Sequence, residues 1–516
     1  MGTGEQGKIS FGRVWLLPFL VLLGAALTVF VFTFLLDAGA STDPDHVLGL
    51  VLRPNPESAL ATLSNAGEIV AAVLAIAITV VAIVVELAAN RYTHRITELF
   101  IGEPINFFVT GFFVMTALQS LWVTIVFDYD PVAGTGFVPH VGIAVAMVML
   151  AICLLLLLPY FGFVFAFLNP IHIVGRIRTH TLEVVAKSRG MAWRQREAVR
   201  GIEQLADVGL NAMEHKDKGV SMASVDALAG MVQDYHGIRK RLPKEWFVVE
   251  GWLAANSDFV SMAPEVLRDV SERKIWFEMK VLRQFQTIYN EALNRMRDVN
   301  YVIAISTRRM AEKALEEGDE QVFDLCLKFF NTYLRSTING RDIRTAYNVL
   351  NQYRLLAEAA LTHGREERAV EIARYFKYYG LTGYGSNLGF VLETVAYDLC
   401  SLCVKAFDEK NGALDSLLRI FLEVDQGGDE NDSQEMALRG VRKAQVKLAT
   451  HFLIAGDLDR ARRIHQDMES EQPERLGSIR DELLMVRTSE FWEISDRGAN
   501  FDYLTPAEKE KMLQFF

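Results

Sequence analysis

At 516 residues the chain is too long for a single soluble core and long enough for two or three domains. A formal net charge of −11 excludes the broad basic face that nucleic-acid binding needs, so no nucleic-acid partner is expected. Hydrophobic residues make up 51% of the chain, and the excess lies before residue 170. None of the four cysteines (Cys153, Cys326, Cys400, Cys403) falls in a segment expected outside the cell, so no disulfide framework is implied.

A membrane helix needs about 20 mainly apolar residues. Four stretches meet that length: 14–36, 66–89, 105–127 and 141–168, the second carrying only Glu68 and Glu86 as charges. The small residues Ala38, Gly39 and Ala40 resemble a signal cleavage site, but the first apolar stretch exceeds the ~7–15 residues of a signal core and reads as a span. Lys8, Arg13, Arg91, Arg95, Arg176, Arg178, Lys187 and Arg189 flank one side of the spans, whereas the other side holds Arg53 among several aspartates. The basic side faces the cytoplasm, which places both termini there.

The second span divides into two kinds of surface. Glu68, Ala72, Ala75, Thr79, Ala82, Glu86 and Asn90 fall on one helical face, and most other positions are Val, Ile or Leu. Eighteen residues separate the two glutamates, or about 27 Å of helical rise, close to a hydrocarbon thickness of about 30 Å. In a symmetric oligomer with this stripe inward, the acids form two rings that attract cations at the mouths of an Ala- and Thr-lined pore. The same stripe also fits a helix-packing surface whose glutamates reach headgroup water. Thr116, Gln119, Ser120 and Thr124 on the third span are placed to hydrogen-bond to the second in either case. No helix breaker follows the second span until Gly102 and Pro104, so the helix is expected to run on through Leu99, with Arg91 and Arg95 on one face at the membrane surface.

The segment 84–113, VVELAANRYTHRITELFIGEPINFFVTGFF, resembles a bacterial family of predicted multi-pass membrane proteins of unknown function with four spans and a large cytosolic part. Where that family has a Ser-Pro-Arg step after the second span, this chain has Thr93, His94 and Arg95, so His94 replaces the proline. The resemblance covers roughly the membrane third and carries no catalytic residues. It implies a bacterial inner-membrane location.

From residue 171 onward apolar residues recur at helical spacing and no strand alternation is evident. Ile275, Met279, Leu282, Gln286, Tyr289, Ala292 and Met296 form a stripe of roughly 3.5-residue period, which predicts one long helix with a coiled-coil-like seam, packed either within the chain or against a copy of itself. Gly318, Gly364, Gly412 and Gly456 are 46, 48 and 44 residues apart, and each sits between two apolar helical stretches. They mark a repeated helix–turn–helix unit with glycine at a positive-φ turn, and stacked units make a short solenoid. Breaks are expected at Asn339–Gly340, between Gly380 and Gly389, and between Gln426 and Ser433, and Thr505 with Glu508 forms a capping-box pattern. The fold class is therefore all-α: a four-helix transmembrane domain (1–170), a helical linker with coiled-coil character (171–297) and a helical repeat domain (298–516).

Other motifs give way to plainer readings. The Cys400-x-x-Cys403 pair lacks two further metal ligands and lies inside an apolar helical run, which makes it packing. Gly383, Gly385 and Gly389 lack the GxGxxG spacing and read as a repeat connection. There is no zinc-binding His-Glu-x-x-His, phosphate loop or nucleophile elbow, so no enzymatic activity, cofactor or metal is expected. The sequence points to a homo-oligomeric inner-membrane protein with a cation-permeable path along the second span, assembled or gated by the helical array. The alternative is a non-conducting scaffold whose array docks a cytosolic protein partner.

The charge asymmetry makes one prediction at once. A reporter fused after Phe516 is active only in its cytosolic form; activity of a periplasm-specific reporter there would overturn the orientation.

Overall fold

A computed structural model describes residues 56–92, 95–130, 135–187, 190–424, 432–469, 471–490, 497 and 500–516, together with isolated positions between 20 and 32. The chain forms two compact units, Met1–Ile177 and Arg178–Phe516. The expected first span, 14–36, lies outside the described residues apart from those isolated positions.

In the first unit α1 (Pro56–Arg91), α3 (Pro104–Val126) and α4 (His140–Phe167) are long and apolar enough to cross a membrane. Pro104 opens α3 at its first turn, where the missing N–H costs nothing and φ is already helical. Two short strands, β1 (Asp128–Asp130) and β2 (Thr135–Phe137), pair antiparallel between α3 and α4. Gly136 is obligatory there: its φ is +143°, and a Cβ would lie 2.1 Å from the Asp128 carbonyl oxygen.

Two expectations about the second span are corrected. The helix begins ten residues early, at Pro56, because Ala59 and Leu63 pack with Val123, Ile143 and Ala146 beyond the apolar run. It also stops at Arg91 instead of continuing through Leu99, and a separate helix, α2 (Arg95–Ile101), follows. No breaker residue stands there; Tyr92, just past the helix end, is buried, as are Ile96 and Phe100 of α2. Arg91 and Arg95 therefore do not share one continuous helix.

The second unit starts within α5 (Pro170–Ala186) and continues through α6 (Met191–Glu214) and α7 (Lys218–Arg239). Two single-turn helices and α8 (Pro264–Glu272) then lead to α9 (Trp276–Arg295). The long helix α9 packs within the chain, and it buries more than the expected stripe. Trp276, Phe277, Val281, Leu282, Phe285, Ile288 and Tyr289 are all buried, Gln286 is half-buried, and the helix is enclosed by α6, α7, α10 (Arg297–Glu317) and α11 (Glu320–Asn339).

From there helices alternate as pairs: α10 with α11, α12 (Ile343–Thr362) with α13 (Glu366–Gly385), α14 (Gly389–Asp408) with α15 (Leu414–Leu422), and α16 (Asp432–Ala455) with α17 (Leu458–Asp467). The first helices of successive pairs pack side by side more extensively than the second helices do. Helices α18 (Pro473–Met485) and α19 (Pro506–Met512) close the chain. The capping box at Thr505 and Glu508 forms as expected, with both reciprocal hydrogen bonds present.

The repeat is stricter than the glycines suggest. Left-handed residues stand at 318, 341, 364, 387 and 410, each 23 apart, and again at 456. In every one of these turns the next residue's N–H donates to the carbonyl five positions back, as Asp319 does to Ala314, Arg365 to Ala360 and Asn411 to Ala406. Where that next residue is aspartate (Asp217, Asp319, Asp342, Asp457), its carboxylate also caps the following helix. Gly318, Gly364 and Gly456 occupy the left-handed position, as expected. Gly412 does not: Lys410 takes that conformation, which restores an even 46-residue period. The break expected between Gly380 and Gly389 is the turn 386–388, with Asn387 left-handed between α13 and α14. Gly380 and Gly383 lie inside α13, where a Cβ would press on Leu392, Val395 and Val391 of α14, so they permit close helix contact. The break expected from Gln426 falls largely outside the described residues.

Because the left-handed conformation is the same at each turn, the residue types predict opposite responses. Gly364→Val lowers stability by more than about 1 kcal/mol, whereas Lys410→Gly leaves it equal or raises it, since only the first introduces a Cβ at positive φ. Thermal unfolding of the full chain followed at 222 nm checks this; equal losses in both variants would contradict it.

Candidate functional site

All seven stripe residues of α1 (Glu68, Ala72, Ala75, Thr79, Ala82, Glu86 and Asn90) are exposed. The helix packs against its own chain with another face, formed by Ala59, Leu63, Ala66, Val70, Ala77, Val81, Val85 and Ala89. The Thr79 hydroxyl donates to the Ala75 carbonyl within the helix, so it makes no demand on a neighbour.

Gly67 fixes how α1 meets α3, because a Cβ there would lie 3.9 Å from that of Ser120. The helices run antiparallel, so residues whose numbers sum to about 187 lie level. Glu86 is then level with Ile101, just outside the start of α3 at Pro104. Glu68 is level with Gln119, seven residues short of the α3 end at Val126, or about 10 Å along the helix. The two acids are therefore not symmetric about α3. Of the α3 polar residues, Thr116 and Ser120 are buried. Thr116 Oγ1 donates to Phe112 O and accepts a 3.2 Å contact from the Cys153 thiol of α4, while Thr124 donates to Ser120 O. The bonds that form at Thr116 and Thr124 thus run to α4 and within α3, where partners toward α1 were expected.

At the opposite end of α3 a compact polar and aromatic knot holds α2, α3, α4 and α5. Arg176 reaches Glu103 at 3.2 Å and lies 4.2 Å over the Phe167 ring, which meets Phe100 edge-on. Asn106 bonds the Phe100 carbonyl and accepts from the Tyr160 hydroxyl. The Tyr160–Asn106 and Arg176–Glu103 bonds of this knot join residues 54 and 73 apart in sequence, and no local pattern announces them.

Residues 12–233 match the model of a family described as predicted membrane protein (DUF2254). That match bears out the resemblance seen in residues 84–113 and extends it past the membrane helices into α7. No curated protein matches the chain. One solved structure, titled "Circular tandem repeat protein with novel repeat topology and enhanced subunit contact surfaces", aligns over 83% of this chain and 98% of its own, at 15% identity and a TM-score of 0.29. A likeness that slight adds nothing about function.

The second unit holds its charges in buried networks. Among the described residues no cluster of His, Cys, Asp and Glu is arranged to hold a metal ion. Cys400 and Cys403 are buried free thiols, and burial pushes Cys400 up to about 11 and Cys403 well above the ordinary thiol range, far from thiolate reactivity. Lys280 is fully buried, and its ammonium meets Glu203 at 2.6 Å, Asn256 at 2.8 Å and Asp258 at 2.5 Å, which satisfies its three protons. Glu278 is also fully buried, 3.3 Å from Arg239. Arg239 in turn bridges Asp319 and donates to the Lys274 carbonyl at 3.1 Å, tying two interhelical turns together.

Burial raises the Glu278 carboxyl to about 7, against the attraction of Arg239. Between about 4.5 and about 7 the folded state thus binds more protons than the unfolded one, and this group's contribution to stability declines as pH rises through that window. Glu278→Gln removes the decline, so the drop in melting temperature between pH 5 and pH 8 is smaller in the variant than in the wild type. An identical drop in both would show that Glu278 does not titrate there.

Proposed function

We propose that the protein is a homo-oligomeric inner-membrane protein in which α1 lines a cation-permeable path and the helical array assembles or gates the subunits. The observation that carries this reading is that the whole stripe, including Glu68 level with the interior of α3, is left uncovered by the described residues of its chain. A carboxylate facing lipid at depth costs about 2.5–3.5 kcal/mol at the bilayer centre and less toward the interface. Turning the stripe toward a shared axis gives it water and cations instead. The small residues between the acids let neighbouring helices approach closely around that axis. On this reading the path is asymmetric: Glu68 selects within the low-dielectric layer, and Glu86 concentrates cations at one mouth.

Purified protein in planar bilayers, with size-exclusion profiles of each variant, tests the reading. Glu68→Gln lowers cation-over-anion selectivity several-fold and more than Glu86→Gln does, while assembly survives. Ala75→Ser is tolerated because a hydroxyl facing water is satisfied. Absence of current under voltage and tension, together with assembly lost on Ala75→Leu, would overturn the path in favour of a purely structural interface.

A further inference from the structure

The first helices of three successive pairs, α12, α14 and α16, present a surface on which equivalent positions recur every 46 residues. Tyr347, Glu393 and Arg439 form one such row, and Asn351, Tyr397 and Lys443 form the next. Across this surface lies a stretch from the far end of the chain, Arg497 and Asn500–Leu504. The Arg497 guanidinium grips both carboxylate oxygens of Asp398, donates to the Tyr347 carbonyl at 3.0 Å and lies 4.3 Å from the Tyr347 ring centroid. Phe501 stacks on Tyr397 with centroids 4.6 Å apart. Asp502 accepts from the Tyr397 hydroxyl and, at 3.0 Å, from Lys443. Lys447 donates to the backbone carbonyls of Phe501 and Tyr503 at 2.9 and 3.0 Å. Leu504 is buried.

These contacts have the character of ligand recognition. The segment contributes no helix or strand to the array, and three of its side chains plus two of its carbonyls are each met by a groove residue from α12, α14 or α16. The groove charges also have second partners within the array. Asp398 lies 3.4 Å from Arg354, and Lys443 lies 2.7 Å from Glu482. Vacating the groove therefore does not strand a buried charge, the event that makes an ordinary buried ion pair irreplaceable. The Arg354–Asp398 contact is itself a repeat feature, because Arg308 reaches Gln352 in the same way one unit earlier, at 2.8 Å.

We propose that the groove across α12, α14 and α16 is a peptide-binding site held in cis by Arg497 and residues 500–504. Its ligand in trans is an extended protein segment with an arginine followed four and five residues later by an aromatic residue and an acid. Asp398 with the Tyr347 ring reads the arginine, Tyr397 reads the aromatic, Lys443 reads the acid, and Lys447 holds the backbone. The tethered segment competes at an effective concentration in the millimolar range, so a partner gains access when the cis segment is weakened or outcompeted. The site does not depend on what the membrane helices conduct.

The test uses the full chain in detergent and a fluorescent synthetic peptide spanning residues 495–504, with a scrambled peptide as control. The variant Arg497→Ala/Phe501→Ala/Asp502→Ala, with the cis segment weakened, binds the peptide at least tenfold more tightly than wild type, and adding Asp398→Asn abolishes the gain. A folded triple variant that binds no better than wild type, or that binds the scrambled peptide equally, overturns the proposal. If the triple variant does not fold, hydrogen exchange on the wild type decides. Excess peptide accelerates exchange of the Phe501–Leu504 amides while α14 and α16 stay protected, and unchanged exchange at millimolar peptide overturns the proposal.

Discussion

One backbone event repeats through the second unit and fixes most of what it can do: a helix ends on a left-handed residue whose successor donates back to the carbonyl five positions earlier. Between Asp319 and Asp408 this happens at a fixed interval, so α11, α12, α13 and α14 all have 20 residues and reverse direction in three. Equal helix lengths and equal turns let each pair stack on the last with the same offset. That offset returns Tyr347, Glu393 and Arg439, or Asn351, Tyr397 and Lys443, to one surface. The groove is thus a consequence of turn geometry before it is a matter of side chains.

The membrane unit obeys a different constraint. Nothing drives α1, α3 and α4 together in lipid except packing and polar contacts, and the structure uses both. Val and Ala face α3 and α4 along α1, and the knot of Glu103, Asn106, Tyr160 and Arg176 fastens one end. Among the described residues, the side-chain bonds between these helices are made by Thr116 on α3 and at the knot. The acids on α1 take no part in either. That division separates side chains that build the unit from those left available to something outside it.

How much of this could be read in the sequence depends on whether a physical demand leaves a residue-type mark. A left-handed turn does when glycine fills it, so Gly318, Gly364 and Gly456 were legible. It does not when Arg341, Asn387 or Lys410 fills it, and Gly412, two residues past the true position, suggested an uneven repeat. The α1 stripe was legible because amphipathic spacing survives in any context. Its exposure was not, since period alone does not say which face the rest of the chain covers. The end of α1 at Arg91 was illegible because no breaker residue marks it. The groove contacts join residues 54 to 150 apart, with no local pattern to announce them.

The Arg497–Asp398 pair brings these threads to one point. Both side chains are almost fully buried, at 7% and 1% exposed. Desolvating two charges costs several kcal/mol, and an apolar pair of similar volume often holds a segment equally well or better. If the only demand on Arg497 and residues 500–504 were to stay in place, a leucine against the half-buried ring of Tyr347 would meet it. What a charge pair adds is selectivity of register: an arginine fits only beside Asp398, and an acid only beside Lys443, so the segment cannot slide along a surface whose rows repeat every 46 residues. A repeat array makes similar pockets by construction. The departures from the repeat, Asp398 where the neighbouring units have Gln352 and Ala444, turn a periodic surface into an addressed one.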